Sequence, residues 1–187
     1  MQENVSQPIY VGFASQKGGV GKSSLAEVLA SVLYYERGFP LVVVDCDNTQ
    51  ESFYKLRERE RDLIESDEKI QAEMRAYFTR LGKPSYTILR SRPDEALTCV
   101  QQYLNTQGRG ERLVIFDFPG HASTESLLRF SVEMDFIISP IEADPQSLAS
   151  SFAYARTIRD LGLGFEDARI EDFFLLWNKV HRSASPA

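Results

Sequence analysis

The sequence predicts an α/β fold, a mainly parallel sheet flanked by helices on both faces, and three observations predict it. Six short runs are apolar throughout rather than alternating, as strands buried on both sides must be. Stretches with helical spacing separate them and supply the crossover that each parallel connection needs. A glycine-rich turn joins the first strand directly to the first helix.

Ile9-Tyr10-Val11-Gly12-Phe13-Ala14 is rich in β-formers and reads as the first strand. After the turn, Leu25, Val28, Leu29, Val32 and Leu33 recur at helical spacing, and Gly38 ends the helix. Leu41-Val42-Val43-Val44 is the second strand, set between Gly38 and Pro40 on one side and the polar cluster Asp45 to Gln50 on the other. From about Glu51 to Leu81 both charge signs interleave, with no proline or glycine before Gly82, which predicts one long exposed helix or two short ones. Acidic residues interrupt the basic pairs among Arg57, Arg59 and Arg61, favouring a solvated face with i,i+4 ion pairs over a nucleic-acid contact.

Tyr86-Thr87-Ile88-Leu89 is the third strand, followed by a helix from Pro93 to about Leu104 and a turn over Asn105 to Gly110. Leu113-Val114-Ile115-Phe116 is the fourth strand and ends in Asp117. A helix over about Ser123 to Val132 leads to the fifth strand, Phe136-Ile137-Ile138, which stops at Ser139-Pro140. Leu148, Phe152, Ala155 and Ile158 mark a helix from about Gln146 to Leu161, and Phe173 to Trp177 form the last strand before a short polar tail.

A chain of 187 residues can bury one sizeable core and is too short for two ordinary domains, so residues 1–187 read as a single domain. The net charge of −6 repels a phosphodiester backbone, so composition gives DNA binding no help. Cys46 and Cys99 are far apart, with no second pair to build a metal knuckle or disulfide framework, which points to a reducing cytoplasm. Met1 to Pro8 has neither a basic nor an apolar stretch of the secretory kind, and no apolar run is long enough to span a bilayer, so no membrane partner is expected. His121 and His181 have no second ligand in view and are assigned no chemistry.

Chemistry concentrates in Lys17-Gly18-Gly19-Val20-Gly21-Lys22-Ser23-Ser24. Phosphates need a concave array of backbone N–H groups at a helix N-terminus, and glycines let the backbone approach without Cβ clashes. Lys22 would reach the β- and γ-phosphates, and the Ser23 hydroxyl would serve as a Mg²⁺ ligand from the first helical turn. A dinucleotide fingerprint would have to begin at Gly19, and Ser24 occupies its third glycine position. The P-loop pattern Gly-x-x-x-x-Gly-Lys-Ser/Thr fails by one position, because Gln16 stands where a glycine is required. The stretch Lys17 to Ser23 instead resembles the deviant Walker A loop of the ParA/MinD family of P-loop ATPases.

In open α/β sheets ligands sit beyond the carboxyl ends of the strands, so the residues there carry the remaining candidates. Asp45-Cys46-Asp47-Asn48-Thr49-Gln50 resembles the family's Asp-x-Asp-Pro-Gln segment, with Asn48 in place of proline. The resemblance implies that Asp47 orients the attacking water and that Asp45 supports the magnesium site; the alternative for either is a helix cap. Asp117 closes the fourth strand and matches the Walker B aspartate, which holds magnesium through its water shell. Gly120, after Phe118-Pro119, would offer its N–H to the γ-phosphate as a switch element. Asn178 resembles the family asparagine that reads adenine, a turn asparagine being the other reading. Lys17 is implied to cross to the nucleotide of a partner subunit, as an arginine finger does, so that ATP holds a homodimer together; a solvated loop lysine is the alternative.

The resemblance covers nearly the whole chain. The segment Phe13 to Gly19 and the arginine-rich helix look like ParA-like proteins of plasmids and conjugative elements. It implies a cytoplasmic ATPase that binds Mg-ATP, dimerises in the ATP state and hydrolyses ATP to drive DNA partition, positioning or transfer. A stimulating partner protein and non-specific DNA binding by the dimer are implied with it. Family members run several dozen residues further, so a minimal domain, or one lacking the family's C-terminal part, is expected. Two other functions remain open: a metabolic enzyme forming amides or ureas on the same scaffold, and a nucleotide-dependent protein-positioning switch.

Overall fold

Each of the six apolar runs forms a strand of one all-parallel sheet. These are β1 (Ile9–Phe13), β2 (Leu41–Asp45), β3 (Thr87–Arg90), β4 (Leu113–Asp117), β5 (Phe136–Ile141) and β6 (Asp172–Trp177), in the spatial order β3-β2-β4-β1-β5-β6. The structure, a computed structural model, describes residues 7–47, 52–108, 110–120, 124–166 and 168–180. Asn48 to Gln50, His121, Ser123 and the tail from His181 therefore lie outside the described residues, as do the sequence readings that fall on them.

Helices α1 (Lys22–Ser31), α2 (Ser52–Ser66), α3 (Glu68–Leu81), α4 (Ala96–Thr106), α5 (Glu125–Val132) and α6 (Pro145–Gly164) complete the fold. The inner strands β1, β2 and β4 bury both faces, whereas the edge strand β3 is only partly buried and the edge strand β6, contrary to the expectation from its apolar run, leaves Phe174, Leu176 and Trp177 exposed, because each pairs on one side only. Val11, Phe13, Val43 and Ile115 pack under Ala26 and Ala30 of α1 and Phe53 of α2. The other face packs Val42, Val44, Val114 and Phe116 with Val100 of α4, Phe130 of α5 and Tyr154 and Ile158 of α6. Alternate residues of β2 thus serve opposite cores, which is why no residue in that strand can be polar before its end.

The structure adjusts several boundaries for identifiable reasons. The charged stretch is two helices, because Asp67 leaves helical geometry and its carboxylate accepts from the N–H groups of Lys69 and Ile70, starting α3 afresh. The fifth strand runs on through Pro140 to Ile141. Pairing with β1 ends at Ile138, and beyond it only β6 lies alongside, so the missing Pro140 N–H costs no β1 bond. Helix α4 begins at Ala96, three residues after Pro93, and α1 continues as a π-helical turn over Val32–Glu36. Cys46 is buried and Cys99 is partly exposed.

One half-buried carboxyl between α1 and α2 makes the fold pH-sensitive. Burial, and then the neighbouring Glu60 carboxylate, push the Glu27 carboxyl up to about 7 against the opposing pull of Arg57. Glu27 Oε1 has no hydrogen-bond partner. Because the folded value lies above the unfolded one, the fold loses stability as pH rises from about 4.5 to 7 and is level above that. Glu27 is only half-buried, so solvent screening leaves an effect of about 1 kcal/mol rather than the full linkage value. Glu27→Gln is expected to be more stable than the parent by that amount at pH 8 and equal to it near pH 4.5, as read by urea denaturation at both values.

Candidate nucleotide-binding site

The register of the sheet brings the distant strand ends together. Phe13, at the end of β1, and Asp45, at the end of β2, both pair with Asp117 of β4. The ladder extends one step further through the Cys46 N–H to the Asp117 carbonyl, at 2.9 Å. The glycine loop, both acidic strand ends and the start of α1 therefore share one edge of the sheet.

The loop takes its shape from glycines where only glycine is unstrained. Gly19 has φ +75° and Gly21 φ +92°, in the left-handed region that side chains disfavour. A Cβ on Gly21 would also lie 2.5 Å from Asn178 Nδ2. That amide donates to the Val20 carbonyl at 2.8 Å, and Lys179 Nζ donates to the Gly19 carbonyl. The end of β6 thus clamps the loop from behind. Ser15 Oγ donates to the Lys17 carbonyl at 2.7 Å.

A cavity of about 540 Å³ opens on the other side of the loop, within the range of nucleotide-sized sites. Gly18, Gly19, Gly21, Lys22, Ser23, Ser24, Asp47 and Gly120 all line it. A Cβ on Gly120 would come within 3.9 Å of Gly18 Cα, so the loop after β4 approaches the glycine loop closely. Val20, Asn178 and Lys17 are outside the lining. Val20 is buried and Asn178 holds its carbonyl. Lys17 Nζ pairs with Glu142 Oε2 at 2.8 Å and Asp144 Oδ2 at 3.1 Å, and Glu142 also pairs with Lys179.

Beneath the cavity the charges are poorly compensated. Desolvation lowers the Lys22 pKa, while Asp117 and Asp47 pull it back up. Asp117 is fully buried and neither carboxylate oxygen has a well-formed hydrogen bond. Burial raises its carboxyl to about 7; Ser23 favours the charged form, Asp45 opposes it, and Lys22 favours it again. Asp45 is different: Oδ1 accepts from the Asp47 N–H at 3.1 Å and Oδ2 from the Tyr54 N–H at 3.0 Å. It clasps the Asp47 segment and the N-terminus of α2 to the sheet, a capping role of the kind left open by the sequence. Burial raises its pKa, and these backbone donors oppose the rise.

A Mg²⁺ ion fits these residues. A buried carboxylate without a well-formed hydrogen bond, close to a helix-terminal serine hydroxyl, is an arrangement that a hydrated cation would satisfy. Among the described residues no group of three or more His, Cys, Asp or Glu could hold a metal by itself.

Four lining residues carry no functional mark in the sequence reading: Lys55, Leu56 and Arg59 of α2, and Phe118. Acidic residues do separate the basic ones along the chain. Around the helix, however, Lys55 and Arg59 are one turn apart on one face, and the spacing Lys55, Leu56, Arg59 carries that signal. Their neighbours do form ion pairs, Arg57 with Glu60 and Arg61 with Glu58, but at i,i+3 rather than the expected i,i+4 spacing.

An all-parallel sheet with a glycine loop between β1 and α1, a lysine and serine opening that helix, and an aspartate ending the adjacent strand defines a P-loop nucleotide-binding protein. The chain belongs to the CobQ/CobB/MinD/ParA nucleotide binding domain family, whose model matches residues 11–187. No curated protein matches the sequence. Among solved structures it is similar to a plasmid partition protein from Borrelia burgdorferi, with 20% identity over 95% of this chain and 81% of the other and a TM-score of 0.64. A plasmid partition protein from Borrelia burgdorferi B31 bound to AMPPNP gives 18% identity, 95% and 78% coverage and a TM-score of 0.60. The MinC:MinD cell division protein complex of Aquifex aeolicus gives 13%, 92% and 69%, and 0.61. At these identities the likeness is one of fold. Among the described residues no helix is long and apolar enough to cross a membrane.

Proposed function

We propose that this protein is a cytoplasmic, ParA-like ATPase that binds Mg-ATP in the loop cavity, dimerises in the ATP state and hydrolyses ATP to position or partition DNA. The observation that carries the reading is the meeting of Lys22, Ser23, Asp47 and Gly120 at one cavity, with the buried Asp117 carboxylate, which has no well-formed hydrogen bond, close to Ser23 and Lys22. Membership of the family and the AMPPNP-bound neighbour support it.

In this reading the N–H groups of the glycine loop and the first turn of α1 cradle the phosphates, and Lys22 neutralises their β/γ end. Ser23 and Asp117 would hold Mg²⁺, which supplies charge neutralisation between the phosphates. Asp45 positions Asp47, whose carboxylate orients the water for in-line attack. The Gly120 N–H meets the terminal phosphate and reports its presence to the following segment. Asn178 keeps Nδ2 on Val20 and offers Oδ1 to the adenine amino group. Lys17 exchanges Glu142 and Asp144 for the partner subunit's nucleotide, trading exposed ion pairs of small net value for a phosphate contact. A protein partner that stimulates hydrolysis, and DNA bound by the dimer, complete the cycle.

Light scattering on Asp47→Ala tests the reading, since slowed hydrolysis traps the ATP state. The mass is expected to double with Mg-ATP, but not with Mg-ADP or without nucleotide, and to stay monomeric when Lys17 is also replaced by alanine. A monomer in all three conditions with ATP bound rejects the dimer cycle.

A further inference from the structure

Two cations on α2 face the nucleotide cavity without a role in the reading above. Lys55 and Arg59 both line it, from a different element than the glycine loop. The other arginines in this part of α2 are engaged elsewhere. Arg57 pairs with Glu60 and lies 4.5 Å from the Tyr86 ring centroid, and Arg61 pairs with Glu58. Among the described residues no carboxylate pairs with Lys55 or Arg59, and both side chains are exposed.

Their placement is unfavourable for the helix alone. Lys55 is the fourth residue of α2, in the turn where the helix dipole disfavours a cation, and Arg59 puts a like charge one turn further on. An anion in the cavity reverses both terms. The geometry is also anchored: Asp45 accepts from the Tyr54 N–H, immediately before Lys55, and from the Asp47 N–H. One buried carboxylate therefore sets α2 and Asp47 in a common frame. The glycine loop and the start of α1 line the cavity from one element, and Lys55 and Arg59 line it from α2, whose Tyr54 N–H shares the Asp45 carboxylate with the Asp47 N–H.

We propose that Lys55 and Arg59 bind the terminal phosphate and make this site prefer a nucleoside triphosphate to a diphosphate, so that α2 senses which nucleotide is bound. The proposal rests on the reading of the cavity as an ATP site. A triphosphate carries about one more negative charge than a diphosphate, and charge-assisted contacts to that extra charge are made only when it is present. Losing two of them is expected to cost at least about tenfold in affinity.

Calorimetric titration of the full chain with Mg-ATP and Mg-ADP tests this. In Lys55→Gln/Arg59→Gln, ATP affinity is expected to fall at least about tenfold while ADP affinity changes by less than about threefold. Lys55→Arg/Arg59→Lys is expected to keep the preference. Lys69→Gln/Arg80→Gln on α3 removes the same charge away from the cavity and is expected to leave both affinities alone. Circular dichroism checks that each variant is folded, which the exposure of all four side chains favours. Equal weakening of ATP and ADP, no change in either, or the same effect from the α3 variant overturns the proposal and leaves the ATP site standing. Parent protein that binds neither nucleotide overturns the ATP site, and the proposal with it.

Discussion

Lys22→Ala is expected to weaken Mg-ATP binding by at least about a hundredfold and to bring hydrolysis below detection, with the fold retained. The lysine is 7% exposed, in an environment that already disfavours its charge by desolvation and holds it only through Asp117 and Asp47. Phosphates arriving in the cavity meet an ammonium that has already lost most of its water, so the contact forms with little further desolvation. Two charge-assisted hydrogen bonds at about 1.5–3 kcal/mol each account for a loss of that size. Calorimetric titration with ATP measures it, and circular dichroism checks the fold. Unchanged affinity would exclude the glycine loop as the phosphate site.

Asp117→Asn is expected to act in opposite directions on stability and on activity. The parent carboxylate is buried without well-formed hydrogen bonds, and burial raises its pKa to about 7. Its folded value exceeds the unfolded one, so the nucleotide-free fold is penalised progressively from about pH 4 to 7 and fully above that. Removing the charge is expected to stabilise the nucleotide-free protein by about 1–3 kcal/mol at pH 8, with the gain vanishing near pH 4. Hydrolysis in the same variant is expected to fall at least about a hundredfold, because the neutral amide no longer balances the cation that the phosphates bring. Denaturant melts at pH 4 and pH 8 and a phosphate-release assay measure the two halves. A variant that is less stable at pH 8 would mean that Asp117 is a structural aspartate.

Asp117 stands out as a candidate in the sequence itself. An aspartate directly after four apolar strand residues has no packing purpose, and the glycine loop upstream gives it one. Lys22, Ser23 and Gly21 are legible for the same reason, since a phosphate loop is continuous in the chain and its residue types follow from local backbone geometry. The inner strands β1, β2 and β4 are legible because a strand buried on both faces has no polar alternative, whereas β6 is legible from its β-formers although Phe174, Leu176 and Trp177 are exposed. Asp67 is hidden within a charged stretch, where its capping geometry has no distinctive pattern against so many polar neighbours.

What depends on distant elements cannot be read in this way. Asp45 stands out in the sequence as a candidate, but its two carboxylate oxygens are held by the N–H groups of Asp47 and Tyr54, a pairing set by how the chain turns from β2 into α2 rather than by any residue pattern. Lys17 reads from the loop alone, yet its partners Glu142 and Asp144 lie beyond β5. Lys55 and Arg59 belong, in the sequence, to a solvated, mixed-charge helix; the angle at which α2 packs turns one face of it into the cavity.

The sequence by itself determined that this chain folds as a parallel α/β sheet carrying a phosphate loop, because strand burial and glycine geometry are written in contiguous residues. Only the tertiary structure decided which charges share the site. Electrostatic interactions act through space, and the register of β1, β2 and β4 and the packing of α2 set those distances.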